Sequence, residues 1–163
     1  MSSFTPEFNT NTGIPLTKDA FVVIVKTEWN AHIVDALEEG CRSIFEQNNI
    51  RYETLLVPGA FEIPFAIKKF WDVKSESGNV PMGFIALGCV LRGDTPHFDY
   101  VCKAVTDGVL QLNLSLPVPT IFGVLTVDHE QQAIDRIGGS HGHKGEEAAI
   151  TALNMISLIK SFY

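Results

Sequence analysis

A chain of 163 residues with 12 basic and 19 acidic side chains carries a formal net charge of −7. It fits one domain that buries roughly two thirds of the surface its unfolded form exposes. That charge, with no basic stripe to track a phosphate backbone, excludes nucleic acid as a partner, and no apolar run approaches the ~18 residues needed to span a bilayer, which excludes a membrane protein. The first twenty residues contain no basic stretch leading into an apolar one, so a cytoplasmic location is expected. Cys41, Cys89 and Cys102 are odd in number and set among apolar residues; they read as buried free thiols, with no disulfide framework and no metal site.

Residues 1–16 form a polar leader, and residues 17–163 the domain proper. Ala20 to Val25, "AFVVIV", is a short continuous apolar run rich in β-branched residues, which predicts a strand buried on both faces. Asn30 is placed to cap a helix whose apolar residues Ile33, Val34, Leu37, Cys41, Ile44 and Phe45 recur at helical spacing until "NN" ends it. A second strand is expected over Tyr52 to Val57, a turn at "PGAF", and a helix over Phe61 to Trp71 with Pro64 in its first turn. Gly83 to Val90 predicts a third strand, His97 to Leu114 a helix, and Thr120 to Thr126 a fourth strand. Asp128 can cap a short helix running through Ile137, with Gln131 placed for a capping box, and after "GGSHGHKG" a last amphipathic helix runs from Glu146 to Lys160.

Strands alternating with helices imply right-handed crossovers and a parallel sheet covered on both faces. Ligands bind beyond the carboxyl ends of the strands in such folds, so the turns "KTEWN", "PGAFE", "LRGDTPH" and "TVDHE" are the candidate site. In "RGDTPH", Thr95 is the expected N-cap and Pro96 the first helical position, leaving free backbone N–H groups and a positive dipole end toward the crevice, an anion site. His97 falls in that first turn and carries the side chain that exchanges protons near neutral pH, although a lone histidine is more often a surface or satisfied core residue. Further on, Arg136 and Lys144 offer a planar fork and a point charge suited to phosphate, while Arg136 could equally complement the dipole of its own short helix. Trp29, at the end of the first strand, suits stacking on a planar ligand or stapling the helix start.

The set "EWN", "VPGAFEIP", "GCVLRGDTPHFDYV", "FGVLTVDHEQQAIDR" and "GHKGEEAA", in that order from Phe21 to the C-terminus, resembles the 6,7-dimethyl-8-ribityllumazine synthase family of riboflavin biosynthesis. The resemblance implies a flavodoxin-like three-layer α/β/α sandwich with a central parallel four-stranded sheet, assembled into homopentamers with active sites between neighbouring subunits. It implies condensation of 5-amino-6-ribitylamino-2,4-pyrimidinedione with 3,4-dihydroxy-2-butanone 4-phosphate, with no cofactor and no metal. By the family pattern Trp29 stacks on the pyrimidinedione, with Asn30 beside it; many members carry phenylalanine where this chain has Trp29. Gly59, Ala60, Phe61 and Glu62 hold the ribityl chain, and Cys89, Val90 and Leu91 meet the ring edge through main-chain groups. Asp94 and Thr95 belong to the phosphate loop and Arg136 anchors the phosphate. Phe122 and Lys144 close the pocket from the adjacent subunit, and His97 moves protons. Two rival readings share the fold: a riboflavin- or lumazine-binding protein with weak or no turnover, and a flavodoxin-like electron carrier or signalling domain, in which Arg136 and Lys144 have no role.

Overall fold

The computed structural model describes residues 19–163, so the expected leader over residues 1–16 lies outside the described residues. Seven of its elements make the first two thirds of the chain: β1 (Phe21–Thr27), α1 (Ala31–Gln47), β2 (Arg51–Val57), a single 3-10 turn (Ala60–Glu62), α2 (Ile63–Lys74), β3 (Gly83–Leu91) and α3 (His97–Ser115). The remainder is β4 (Thr120–Val127), α4 (Glu130–Ile134), a small hairpin of β5 (Ile137–Gly139) and β6 (Gly142–His143), and α5 (Lys144–Lys160).

The four long strands form one sheet in the order β2-β1-β3-β4, all pairs parallel. The parallel sheet covered on both faces that the alternation predicts, and the flavodoxin-like three-layer α/β/α sandwich that the resemblance implies, are therefore observed. Side chains alternate across the sheet as strand geometry requires. Val22 and Ile24 of β1, with Ile85 and Leu87 of β3, pack beneath α1 and α5. Phe21, Val23 and Val25, with Phe84 and Ala86, pack beneath α2 and α3. β1 and β3 are buried on both faces because they are central, whereas β2 lies at an edge and is only partly covered.

The α1–α5 contact is unusually close. A Cβ at Gly145 would stand 2.0 Å from the Leu37 carbonyl oxygen, so only glycine lets the start of α5 lie against α1. At the same crossing Cys41, fully buried, donates its S–H to the Gly145 carbonyl at 3.1 Å. Burial, helped by the charge of Glu38, pushes the Cys41 thiol up to about 12 from an ordinary value of 9.0. A thiol whose folded value is raised contributes stability that is complete below its unfolded value and is lost as pH climbs toward the folded one. Denaturant stability should therefore fall between about pH 9 and 12, and Cys41→Ala, measured over the same interval, should lose less than the parent. Parallel curves would show that the alkaline loss arises elsewhere.

Several boundaries differ from expectation for local reasons. Asn30 does precede α1, but in the left-handed conformation (φ 57°) and without a side-chain cap. The N-cap of α3 is Pro96, not Thr95, because the fixed φ of proline (−63° here) already suits the helix and its carbonyl accepts from Asp99 and Tyr100. α4 starts after His129 and stops at Ile134, well short of Ile137, since the chain turns into the hairpin. Gln132, not Gln131, bonds back to the Asp128 N–H, at 2.7 Å. α5 begins at Lys144, two residues earlier than expected, capped by the His143 ring on the Glu146 N–H. Cys41 and Cys89 are buried free thiols as expected, whereas Cys102 is only half-buried.

Candidate active site

The order β2-β1-β3-β4 reverses direction between β1 and β3, and a crevice opens outside the carboxyl ends of strands at such a reversal. A cleft of about 300 Å³ occupies that place. Trp29 and Asn30 enter it from the end of β1, Cys89, Val90 and Leu91 from the end of β3, Ala60, Phe61 and Glu62 from the turn after β2, and His97 from the first turn of α3. Nine of the residues singled out in the sequence thus meet in one cavity. Thr27 and Val101 also line it: Thr27 lies in the "KTEWN" turn but was given no role of its own, and Val101 reads as an ordinary apolar helix position.

Trp29 is held from below. Its backbone N–H donates to Pro58 at 3.3 Å, its carbonyl accepts from the Thr27 hydroxyl at 3.2 Å, and a Cβ on Gly59 would stand 3.0 Å from two indole carbons. Gly59 is thus the residue that lets the indole approach the turn closely, while 66% of Trp29 remains exposed and open to a planar ligand. Asn30 spends its amide across the crevice, Nδ2 donating to the Cys89 carbonyl at 2.8 Å. It thereby clips the β1–α1 turn to the end of β3. The Cys89 carbonyl, expected to face a ligand, already accepts this bond. Glu62 accepts from the Gly59 N–H at 3.1 Å through Oε2 and is itself exposed toward the cleft.

The Cys89 thiol is pushed up to about 11 by burial and by the nearby charge of Glu130. It is protonated near neutral pH and is no nucleophile there. Among the described residues, no group of three His, Cys, Asp or Glu side chains is arranged to hold a metal ion.

Asp94 and Thr95 stand exposed in the loop beside His97, whose N–H lies 3.4 Å from the Thr95 hydroxyl. Arg136 follows α4 and donates from Nη1 to the Gln132 carbonyl at 2.7 Å, and its own carbonyl accepts from the Lys144 N–H at 2.8 Å. The hairpin therefore brings Arg136 and Lys144 together through the backbone. The Lys144 ammonium is paired with Glu147, 2.8 Å from Oε2.

Phe122 and Lys144 do not line that cleft. They line a second, open groove of about 540 Å³ along the outer edge of β4, with Asn113, Thr120 and Glu147.

A family model described as 6,7-dimethyl-8-ribityllumazine synthase matches residues 19–160. A protein of that name from Parabacteroides distasonis is 44% identical over 147 residues, covering 88% of this chain and 89% of that protein. One from Bdellovibrio bacteriovorus is 47% identical over 138 residues, covering 84% and 74%. One from Cytophaga hutchinsonii is 40% identical over 161 residues, covering 96% and 98%. The chain that places these side chains at the β1–β3 reversal belongs to the 6,7-dimethyl-8-ribityllumazine synthase family.

Proposed function

We propose that this protein is the enzyme of riboflavin biosynthesis that condenses 5-amino-6-ribitylamino-2,4-pyrimidinedione with 3,4-dihydroxy-2-butanone 4-phosphate, forming 6,7-dimethyl-8-ribityllumazine and releasing phosphate and water. Membership of the family carries the reaction. The single observation that carries the site is the convergence of an open indole, a carboxylate and an imidazole in one cleft at the sheet reversal.

In this reading the pyrimidinedione stacks on Trp29, and the ribityl hydroxyls run along the Gly59–Glu62 turn toward the Glu62 carboxylate. The phosphate of the second substrate lies by the loop of Asp94 and Thr95, beside the positive end of α3, with Arg136 as its counter-charge. The 5-amino group attacks the ketone carbonyl and water leaves as the imine forms. Loss of a proton from the adjacent carbon then expels phosphate, with its bonding pair, from the terminal carbon. After tautomerisation the ribityl-bearing nitrogen attacks the remaining carbonyl, and a second water leaves as the ring closes. His97 is the cleft side chain suited to accept and return the protons. Much of the rate comes from holding two small molecules in reactive geometry.

The active form is a homopentamer in which Phe122 and Lys144 of one subunit complete the cleft of the next. Their position in a separate groove on an edge strand supports this, as such a groove is open to a neighbour. Among the described residues no helix is long and apolar enough to cross a membrane, and a cytoplasmic location is part of this reading.

Phosphate release measured with both substrates present tests the reading. Tight riboflavin binding with no phosphate release would replace it with a flavin- or lumazine-binding function.

Arg136 offers a sharper check. If its fork pairs with phosphate, Arg136→Ala should raise KM for the butanone phosphate by the equivalent of about 1.5–3 kcal/mol, roughly 10- to 150-fold, with only partial rescue by lysine. If Arg136 serves only the Gln132 carbonyl, thermal stability would fall and both KM values would move together.

A further inference from the structure

Arg92 lies in the "LRGDTPH" turn that the sequence singled out, where it was given no role of its own, and it does not line the cleft. It follows the last rung of β3, its N–H donating to the Val127 carbonyl at 2.9 Å. From there its side chain meets three groups. Nε donates to Asp128 Oδ1 at 2.7 Å, Nη1 stands 3.4 Å from Asp99 Oδ1, and the guanidinium carbon lies 4.2 Å from the ring centroid of the buried Phe98.

We propose that Arg92 is a positioning residue for the phosphate end of the site: it pins the first turn of α3, which carries His97, to the β4–α4 loop, whose chain runs on to Arg136. The role rests on the reading of that site given above. Asp99 and Phe98 sit in the same helical turn as His97, and Asp128 opens the segment that ends at Arg136. A single planar cation thus sets the spacing between two loops that must both face one phosphate. Each contact alone is modest, since the side chains are partly exposed. The geometry is the point, because a fork stacked on a ring and held at two corners has few alternatives, which a lysine cannot reproduce.

Charge adds to geometry. The positive end of α3 favours an anion, but Asp99 in its first turn and Asp128 opposite oppose one. Arg92 stands between the two carboxylates and offsets them. Removing it frees the two loops and leaves both negative charges facing the phosphate position. Small displacements of this kind, away from the reacting atoms, cost as much as 10²-fold in rate.

Two measurements on the full-length protein decide the matter: steady-state kinetics in both substrates, and calorimetric binding of inorganic phosphate. Arg92→Ala should raise KM for the butanone phosphate and the phosphate Kd together by about 10-fold or more, with KM for the pyrimidine substrate within about 2-fold. Arg92→Lys, which keeps the charge and loses the stacked fork, should recover only part of that loss. Asp128→Asn should weaken phosphate binding less than Arg92→Ala does, and the double variant should be no worse than Arg92→Ala alone, because both act through one contact. Unchanged phosphate Kd in Arg92→Ala, or equal rises in both KM values with a lowered Tm, would overturn the proposal. So would full rescue by lysine, or additive losses in the double variant. If the parent protein binds phosphate but releases none from the substrates, the reaction assigned to the site is wrong, and Arg92 is still judged by the phosphate Kd.

Discussion

Replacing His97 with alanine should lower kcat roughly 10²-fold while leaving KM for both substrates within a few-fold. The split follows from where the side chain stands. His97 lines the cleft from the first turn of α3, but the flat ring platform is Trp29 and the charge suited to phosphate is Arg136. If the site works as proposed, loss of the imidazole removes a proton carrier and leaves the two binding surfaces intact. Activity should persist, because approximation of the two substrates supplies rate that needs no side-chain acid or base. Steady-state kinetics with each substrate varied in turn checks it. An unchanged kcat would take His97 out of the mechanism, and a large KM change with constant kcat would make it a binding residue.

Mixing two impaired variants should restore activity beyond that of either alone. Phe122 and Lys144 line a groove on the edge strand, apart from the cleft that holds Trp29 and His97. If each working site joins the cleft of one subunit to the groove of the next, His97→Ala and Lys144→Ala damage opposite halves of it. Co-assembly of equal amounts then leaves about one site in four with both halves intact, so activity should recover to about a quarter of the parent value from two nearly inactive preparations. Unfolding and refolding the mixed variants, followed by an assay of phosphate release, measures this. No recovery above the separate variants, or full activity in a species sedimenting as one 17.9 kDa chain, would sink the shared site.

Trp29 illustrates how a residue's meaning changes with its surroundings. In the sequence an aromatic after a strand could staple a helix or hold a ligand. In the structure the indole rests on Gly59 and stays exposed, so it does not serve the helix core. Arg136 keeps both of its readings, because the bond to the Gln132 carbonyl is the helix-end contact that the spacing allowed, and its charge remains next to the hairpin. Asn30 moved furthest. Its place before α1 was legible, but its amide crosses to Cys89 instead of capping the helix.

By itself the sequence determined the layers, the helix faces and the chemical inventory of the site. Continuous apolar runs require a strand covered on both faces, and apolar residues at helical spacing require one buried stripe; both signals are local and survive without knowledge of neighbours. The tertiary structure alone decided which turns meet. The order β2-β1-β3-β4 puts the end of β1 beside the end of β3, so Trp29 and Cys89 share a cleft although the chain between them contains a whole strand and two helices. It also decided that Phe122 and Lys144 stand on an edge apart from that cleft, and that Arg92 ties two loops together. The hairpin of β5 and β6 escaped notice because strands of three and two residues are too short to show a period. Strand order and contacts between distant loops depend on how the packed layers close on one another, and that closure leaves no mark on any short stretch of sequence.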